Sequence, residues 1–185
     1  MNVETAQNIK RELRMESMAV EMPAVEGHPN RRAFRGVLTV VGKASERPPA
    51  GARGHRVLLT KMATEKALPS LLGMAVDYAP ALDKHDARCK VGIITEAELR
   101  EGKSTRGEAL EVKGYLFERD FPEIVAEIER NGRASLGMSY EIAGVRVADV
   151  SAPVWAVTEM TFTGAAVLRR NKAAYAETWV ELAGE

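Results

Sequence analysis

A single cysteine, Cys89, stands in 185 residues, so no internal disulfide can brace the chain and its composition suits a reducing cytosol. Histidine is nearly as scarce. Only His28, His55 and His85 occur, and none is spaced to share a metal with another, so a metal phosphohydrolase around His85-Asp86 lacks the further ligands it would need. No stretch holds the roughly 20 apolar residues of a membrane helix, and Met1 to Met15 is polar and charged, without the apolar centre of a signal peptide. Neither sign of charge predominates, since 26 basic residues balance 26 acidic ones, and this removes the global field that would draw nucleic acid or an anionic membrane. A Gly-x-Ser-x-Gly elbow is also missing, as is the strand-helix alternation that goes with it, which disfavours a small-ester hydrolase. The expectation is a soluble protein that is not exported, whose partner is another protein, with no nucleic acid, membrane, metal or cofactor.

What is present is 45% hydrophobic content, enough at this length to bury one core without a second domain. The polar residues 1–14 read as an N-terminal arm and residues 15–185 as a single domain. Met18, Val20 and Met22 alternate with Ala19 and Glu21, and Phe34 to Val41 carries Val37, Leu38, Val40 and Val41; each predicts a strand. Gly42 to Gly54, rich in Pro, Gly and Arg, predicts a loop open to disorder or nicking. Further strands are predicted over Val91–Thr95, Leu110–Phe117, Ser135–Ile142 and Thr158–Phe162. Thr64 to Leu72 has helical spacing in Leu68, Leu71 and Leu72, with Pro69 in its first turn and Gly73 placed to end it. The clearest helix starts at Asp120-Phe121-Pro122-Glu123, where Asp120 and Glu123 have capping-box spacing, and closes at Asn131-Gly132. Many short strands with two or three helices define an α+β fold, a mainly antiparallel β-barrel surrounded by a few helices.

Two segments carry chemistry: Asp83-Lys84-His85-Asp86 and Gly137-Met138-Ser139-Tyr140-Glu141. A serine hydroxyl is a poor nucleophile at neutral pH and needs an adjacent base to take its proton, for which imidazole titrates in the right range. Strand alternation points Leu136, Met138 and Tyr140 one way and Ser139 and Glu141 the other. The same test sets Met160 and Phe162 against Glu159, Thr161 and Thr163, so Glu159 also lies on a polar face. Ser135 shares the face of Ser139 and is its internal competitor as nucleophile. Cys89, four residues from His85, raises a cysteine hydrolase as a further reading, although a lone cysteine is more often a small buried hydrophobe.

These segments sit in a wider pattern. Leu68-Pro69-Ser70-Leu71-Leu72-Gly73-Met74-Ala75-Val76, His85-Asp86, Lys90-Val91-Gly92-Ile93-Ile94-Thr95, Gly137 to Glu141 and Phe162-Thr163-Gly164-Ala165-Ala166-Val167-Leu168 occur in this order. Together they resemble the prohead (head-maturation) proteases of tailed bacteriophages, which are similar in fold and catalytic order to the herpesvirus assemblins. The resemblance runs from about Val57 to Ala183. It implies a serine endopeptidase with His85 as base, Ser139 as nucleophile and a third group on a following strand that orients the imidazole. Assemblins use a second histidine there; no histidine follows His85, and Glu159 aligns with the acidic position of the phage family, with Asp83 or Asp86 as fallbacks. Arg169 and Arg170 look like the arginine pair that supports the oxyanion hole in assemblins. The resemblance further implies a protein packaged inside the immature prohead, in the host cytoplasm. There it would be a homo-oligomer that cuts the scaffold protein or a segment of the major capsid protein, and itself. Because some proteases of this kind cut after glutamate, the terminal Ala183-Gly184-Glu185 reads as a self-processing product or an end trimmed to match one, with a natural end as the alternative. The competing expectation is a non-enzymatic capsid scaffold or assembly domain with the same fold and with His85 and Ser139 too far apart to bond.

Overall fold

A computed structural model describes residues 18–101 and 107–184. The expected arm over 1–14 and the terminal Glu185 lie outside the described residues.

Nine strands form one sheet. They are β1 (Met18–Ala19), β2 (Arg32–Val41), β3 (Arg56–Leu59), β4 (Ala75–Asp77), β5 (Lys90–Glu101), β6 (Glu108–Leu116), β7 (Leu136–Val147), β8 (Val154–Arg169) and β9 (Trp179–Leu182). The order across the sheet is β3-β8-β4-β5-β6-β2-β9, with β7 on the other edge of β8 and β1 added to β5. Pairing is antiparallel except where β3 and β4 lie parallel to β8, one after the other along the same edge. The sheet curls into a half-barrel, so that β7 at one end packs against β2 and β9 at the other.

Bulges and close backbone approaches make that curl. Extra residues interrupt β2 between Val37 and Thr39 and β5 between Ile94 and Glu96, and each bulge adds local bend and twist. Gly114 faces both strands where they crowd: a Cβ there would stand 1.9 Å from the Ile93 carbonyl oxygen and 2.9 Å from Phe34. Only glycine lets three strands meet so closely. Inside the curl, Phe34, Leu38, Ile94, Leu110, Leu116 and Phe162 are each 1% exposed or less, and side chains of this size contribute about 1.5–3 kcal/mol each on burial.

Two α-helices cover the sheet. In α1 (Lys61–Ala67), Thr60 caps the first turn by accepting from the Ala63 N–H, and Pro69 begins a short 3-10 turn, Leu68–Leu71. The helix expected over 64–72 therefore starts earlier and changes geometry at the proline, whose ring is tolerated only in a first turn. In α2 (Pro122–Ser135), Ile124, Val125 and Ile128 are buried on one face, and the helix packs on β7 and β9. The expected capping box does not form. Phe121 is the N-cap, without a side-chain bond; Asp120 instead accepts from Asn30 at 2.7 Å, and Glu123 accepts from the Tyr78 hydroxyl at 2.5 Å. The helix also continues past Gly132 to Ser135. That glycine serves packing, since a Cβ there would meet the Val180 carbonyl oxygen at 2.7 Å.

The α+β class agrees with the sequence expectation, with two parallel pairings in place of a wholly antiparallel barrel. The Pro- and Gly-rich loop 42–54 is tied down rather than loose. The buried Ser45 hydroxyl accepts from the Val57 N–H at 2.9 Å, Gly42 donates to Leu59, and Ala44 bridges to Leu58. Among the described residues, no helix is long and apolar enough to cross a membrane.

Candidate active site

The site is built across β8, whose two neighbours each bring one functional side chain to its outer face. Ser139 on β7 pairs with Ala166, and Asp77 on β4 pairs with the same Ala166 from the other side. Paired residues present their side chains on the same face of a sheet. Ser139, Ala166 and Asp77 thus form one row, with the outer residues about 10 Å apart at two interstrand spacings. Val76, Ala165 and Tyr140 make the next row, facing the core. An extra residue in β8, Thr163, opposite the Glu141–Ile142 step of β7 allows β8 to keep Phe162 and Ala165 both inward. On the opposite face β8 carries the small residues Gly164 and Ala166, both buried, with Ala166 packed against Leu168 and Ala173.

His85 comes to Asp77 from the loop joining β4 to β5. The loop is fastened at three points. Leu82, buried and in the left-handed region at φ 52, accepts from the Arg169 N–H at 2.8 Å, and the bond and burial offset a conformation that bulky residues seldom adopt. The Asp86 N–H donates to Asp77 Oδ1 at 3.1 Å, and the Cys89 carbonyl accepts from the Tyr78 N–H at 3.4 Å. The ring is placed with Nδ1 3.6 Å from Asp77 Oδ1. This is a close contact but longer than a hydrogen bond, and Nδ1 is buried without a hydrogen-bonded partner.

Asp77 is fully buried, with Lys90 Nζ 3.2 Å from its Oδ2. Burial alone would push its carboxyl up; the neighbouring His85, the Asp86 N–H and Lys90 outweigh that and hold it below the usual carboxylate range. It is therefore an anion at neutral pH, placed to accept from an imidazole N–H. Glu141 completes the group. One carboxylate oxygen of Glu141, one of Asp77 and a ring nitrogen of His85 all lie within 4.8 Å of one another. The donor types would suit a divalent cation, but the Lys90 ammonium already balances Asp77.

The other expected residues sit elsewhere. Glu159 is on the outer face as alternation predicts, yet it pairs with Arg146 on β7, roughly 23 Å along β8 from Ala166 at about 3.3 Å per residue. Its carboxylate meets Arg146 Nε at 3.3 Å in an exposed ion pair. Alternation gives the face of a residue but not its height along a strand, and Glu159 is at the wrong height for a triad. Asp83 is exposed and Asp86 turns its carboxylate to Arg88 at 3.2 Å, so Asp77 is the carboxylate that His85 meets.

Arg169 and Arg170 lie past the row of Ser139, with Arg169 paired to Leu136. The Arg169 N–H is taken by Leu82 and the Arg170 guanidinium donates to the Arg133 carbonyl. Neither of these donors is aimed at Ser139; the two side chains line a separate cleft with Ser135 and Arg47. Ser135 itself ends α2 and donates to the Asn131 carbonyl at 3.2 Å, which removes it as the competitor on the strand. Burial raises the Cys89 thiol above its usual range, with Asp86 adding to the effect, and so disfavours the thiolate a cysteine nucleophile requires. His55 stacks on Trp155 at 4.3 Å, and His28 accepts from the Asn30 N–H.

Comparison of the chain with family models, with curated proteins and with solved structures returns no match. The site therefore rests on its own geometry. What that geometry defines is a buried carboxylate, a loop-borne imidazole against it and a half-buried serine one strand beyond.

Proposed function

We propose that this chain is a serine endopeptidase, with Ser139 as nucleophile, His85 as general base and then acid, and Asp77 in place of Glu159 as the group that orients the imidazole. The observation that carries the reading is the row Asp77–Ala166–Ser139 on one face of three adjacent strands, with His85 against Asp77. His85 would take the Ser139 proton as Oγ attacks the scissile carbonyl, and Asp77 would stabilise the imidazolium that forms. The same proton would pass to the leaving amine, and water would then release the acyl group by the reverse sequence. Ala166 matters because it has no bulk to keep the ring from Ser139.

Within that class, the order of the motifs and the curled α+β sheet support a protease similar to the tailed-phage prohead proteases and the assemblins. Its substrates would be segments of the scaffold and major capsid proteins, and its own chain, cut inside the prohead by a homo-oligomer. One observation favours the non-enzymatic alternative, a capsid assembly domain: among the described residues, no hydrogen bond joins Ser139 to His85. Catalytic hydrogen bonds are often loose without substrate, so the two readings separate by experiment. The test is co-expression of the chain with its capsid and scaffold proteins, followed by intact-mass spectrometry. Cleavage abolished by Ser139→Ala and kept by Ser135→Ala establishes the protease; identical masses with and without the Ser139 hydroxyl refute it.

A further inference from the structure

Glu141 has no part in the scheme above, yet the fold prepares a place for it. It follows Ser139 by two residues on the same face of β7, is half-buried, and pairs with Gly164 on β8. A Cβ at Gly164 would stand 3.0 Å from Glu141 Oε2, so the glycine is what lets this carboxylate lie flat across β8. There it comes within 4.8 Å of both Asp77 and a ring nitrogen of His85. Among the described residues, no lysine or arginine forms an ion pair with Glu141, whereas Asp77 has Lys90 at 3.2 Å.

Two partly desolvated carboxylates so close together repel, and one ammonium balances only one of them. The charge that would settle the second is a cation beside both, and a ring nitrogen of His85 lies within 4.8 Å of each. When His85 takes the Ser139 proton during attack, the imidazolium that forms supplies that charge. Such an arrangement favours the charge that develops in the transition state over the ground state. It also answers a geometric need. His85 is carried by a loop and Asp77 by β4, and among the described residues no hydrogen bond joins either side chain to β7, the strand of Ser139. A contact from Glu141 references the ring to β7 itself.

We propose that Glu141 is a positioning residue, a second carboxylate on His85 that ties the base to the strand of Ser139 and stabilises the imidazolium. This rests on the serine-hydrolase reading of the site. The test uses an alkyl fluorophosphonate, which needs an activated serine but no peptide subsites: the Oγ–P bond forms, fluoride leaves and His85 takes the hydroxyl proton. Labelling of Ser139 is followed by intact mass over a range of probe concentrations, which separates the limiting rate from the probe's half-saturation. Glu141→Gln is expected to lower the limiting rate about tenfold, equivalent to roughly 1.4 kcal/mol and within what one charge at this distance supplies in a half-wet site, with half-saturation unchanged. Glu141→Asp recovers part of the rate. Gly164→Ala, which displaces the carboxylate without removing its charge, slows labelling in the same direction.

A Glu141→Gln variant that labels at the wild-type limiting rate overturns the proposal, including when half-saturation alone rises, which would make Glu141 a substrate contact. So does a lower melting temperature with unaltered labelling of the folded fraction, which would make it structural. Wild-type protein that neither labels nor cleaves removes the hydrolase reading itself, a result distinct from wild-type labelling that Glu141→Gln leaves untouched.

Discussion

Replacing Asp77 with asparagine removes one buried charge at nearly constant volume, and its effects on stability and on chemistry can be worked separately. In the folded protein the carboxylate accepts from the Asp86 N–H at 3.1 Å and faces Lys90 Nζ at 3.2 Å, with none of its side chain exposed. Hydrogen bonds to a charged group contribute about 1.5–3 kcal/mol each. Asparagine keeps one oxygen and so one of the two partners, but turns an NH2 toward the other. Lys90 is 38% exposed and can turn to water, which discounts its share. The net cost is about 2 kcal/mol, or a melting temperature lower by roughly 4–8 °C for a chain of this size.

The pH dependence has a definite sign. Asp77 is held below its usual range, so its contribution is fully present above the unfolded-state value of about 3.9 and is lost as pH falls through the folded-state value. Melting curves of the two proteins at pH 7 and pH 3 should therefore differ most at pH 7 and converge in acid. A difference under about 1 °C at pH 7, or one as large at pH 3, refutes the assignment of Asp77 as the buried anion of the site. In triad hydrolases, amide replacement of the orienting carboxylate costs about 10⁴ in rate. With Glu141 still beside His85, labelling of Ser139 by a fluorophosphonate should fall at least about 100-fold.

Glu159→Gln should leave both labelling and melting temperature near wild type, within about 0.5 kcal/mol for an exposed ion pair; a tenfold loss of labelling would return Glu159 to the site. Ala166→Leu adds bulk at the buried position between Asp77 and Ser139, and is expected to abolish labelling while costing about 1–3 kcal/mol by overpacking; full activity in a denaturation-resistant variant would show that the ring does not cross Ala166. Gly114→Ala forces a Cβ onto a backbone carbonyl that cannot yield and should destabilise by about 3 kcal/mol or more, read as a lower urea midpoint; an unchanged midpoint would mean that the curl of the sheet relaxes freely there.

Much of the fold was legible because long strands announce themselves. Alternation locates β2 and β6 to within a few residues, with the first half of β5 and most of β7, and the pattern of α2 survives the failure of its expected cap. The short strands β3, β4 and β9 have three or four residues each, too few to show a period, and β4 is hidden in the apolar run Met74-Ala75-Val76. Asp77 was lost with it. Its role depends on which strand lies beside β8 at the height of Ala166, and parallel pairing between distant segments leaves no local mark on a sequence. Small residues carried the one available signal: Gly164-Ala165-Ala166 in the middle of a long apolar strand marks a place where something must approach closely. Glu159 illustrates the opposite error, since a correct face says nothing of the distance along it.

The placement of β8 also bears on when the site comes into being. The proposed base and orienter come from residues 77–85 and the proposed nucleophile from residue 139, yet the two groups acquire a fixed separation only when residues 164–166 lie between them. A nascent chain emerges with Asp77, His85 and Ser139 already made and nothing to space them. The proposed site is thus assembled late in synthesis, by a strand that contributes no reacting atom, and a ribosome stalled before β8 would carry every proposed triad member without the spacing the proposal requires.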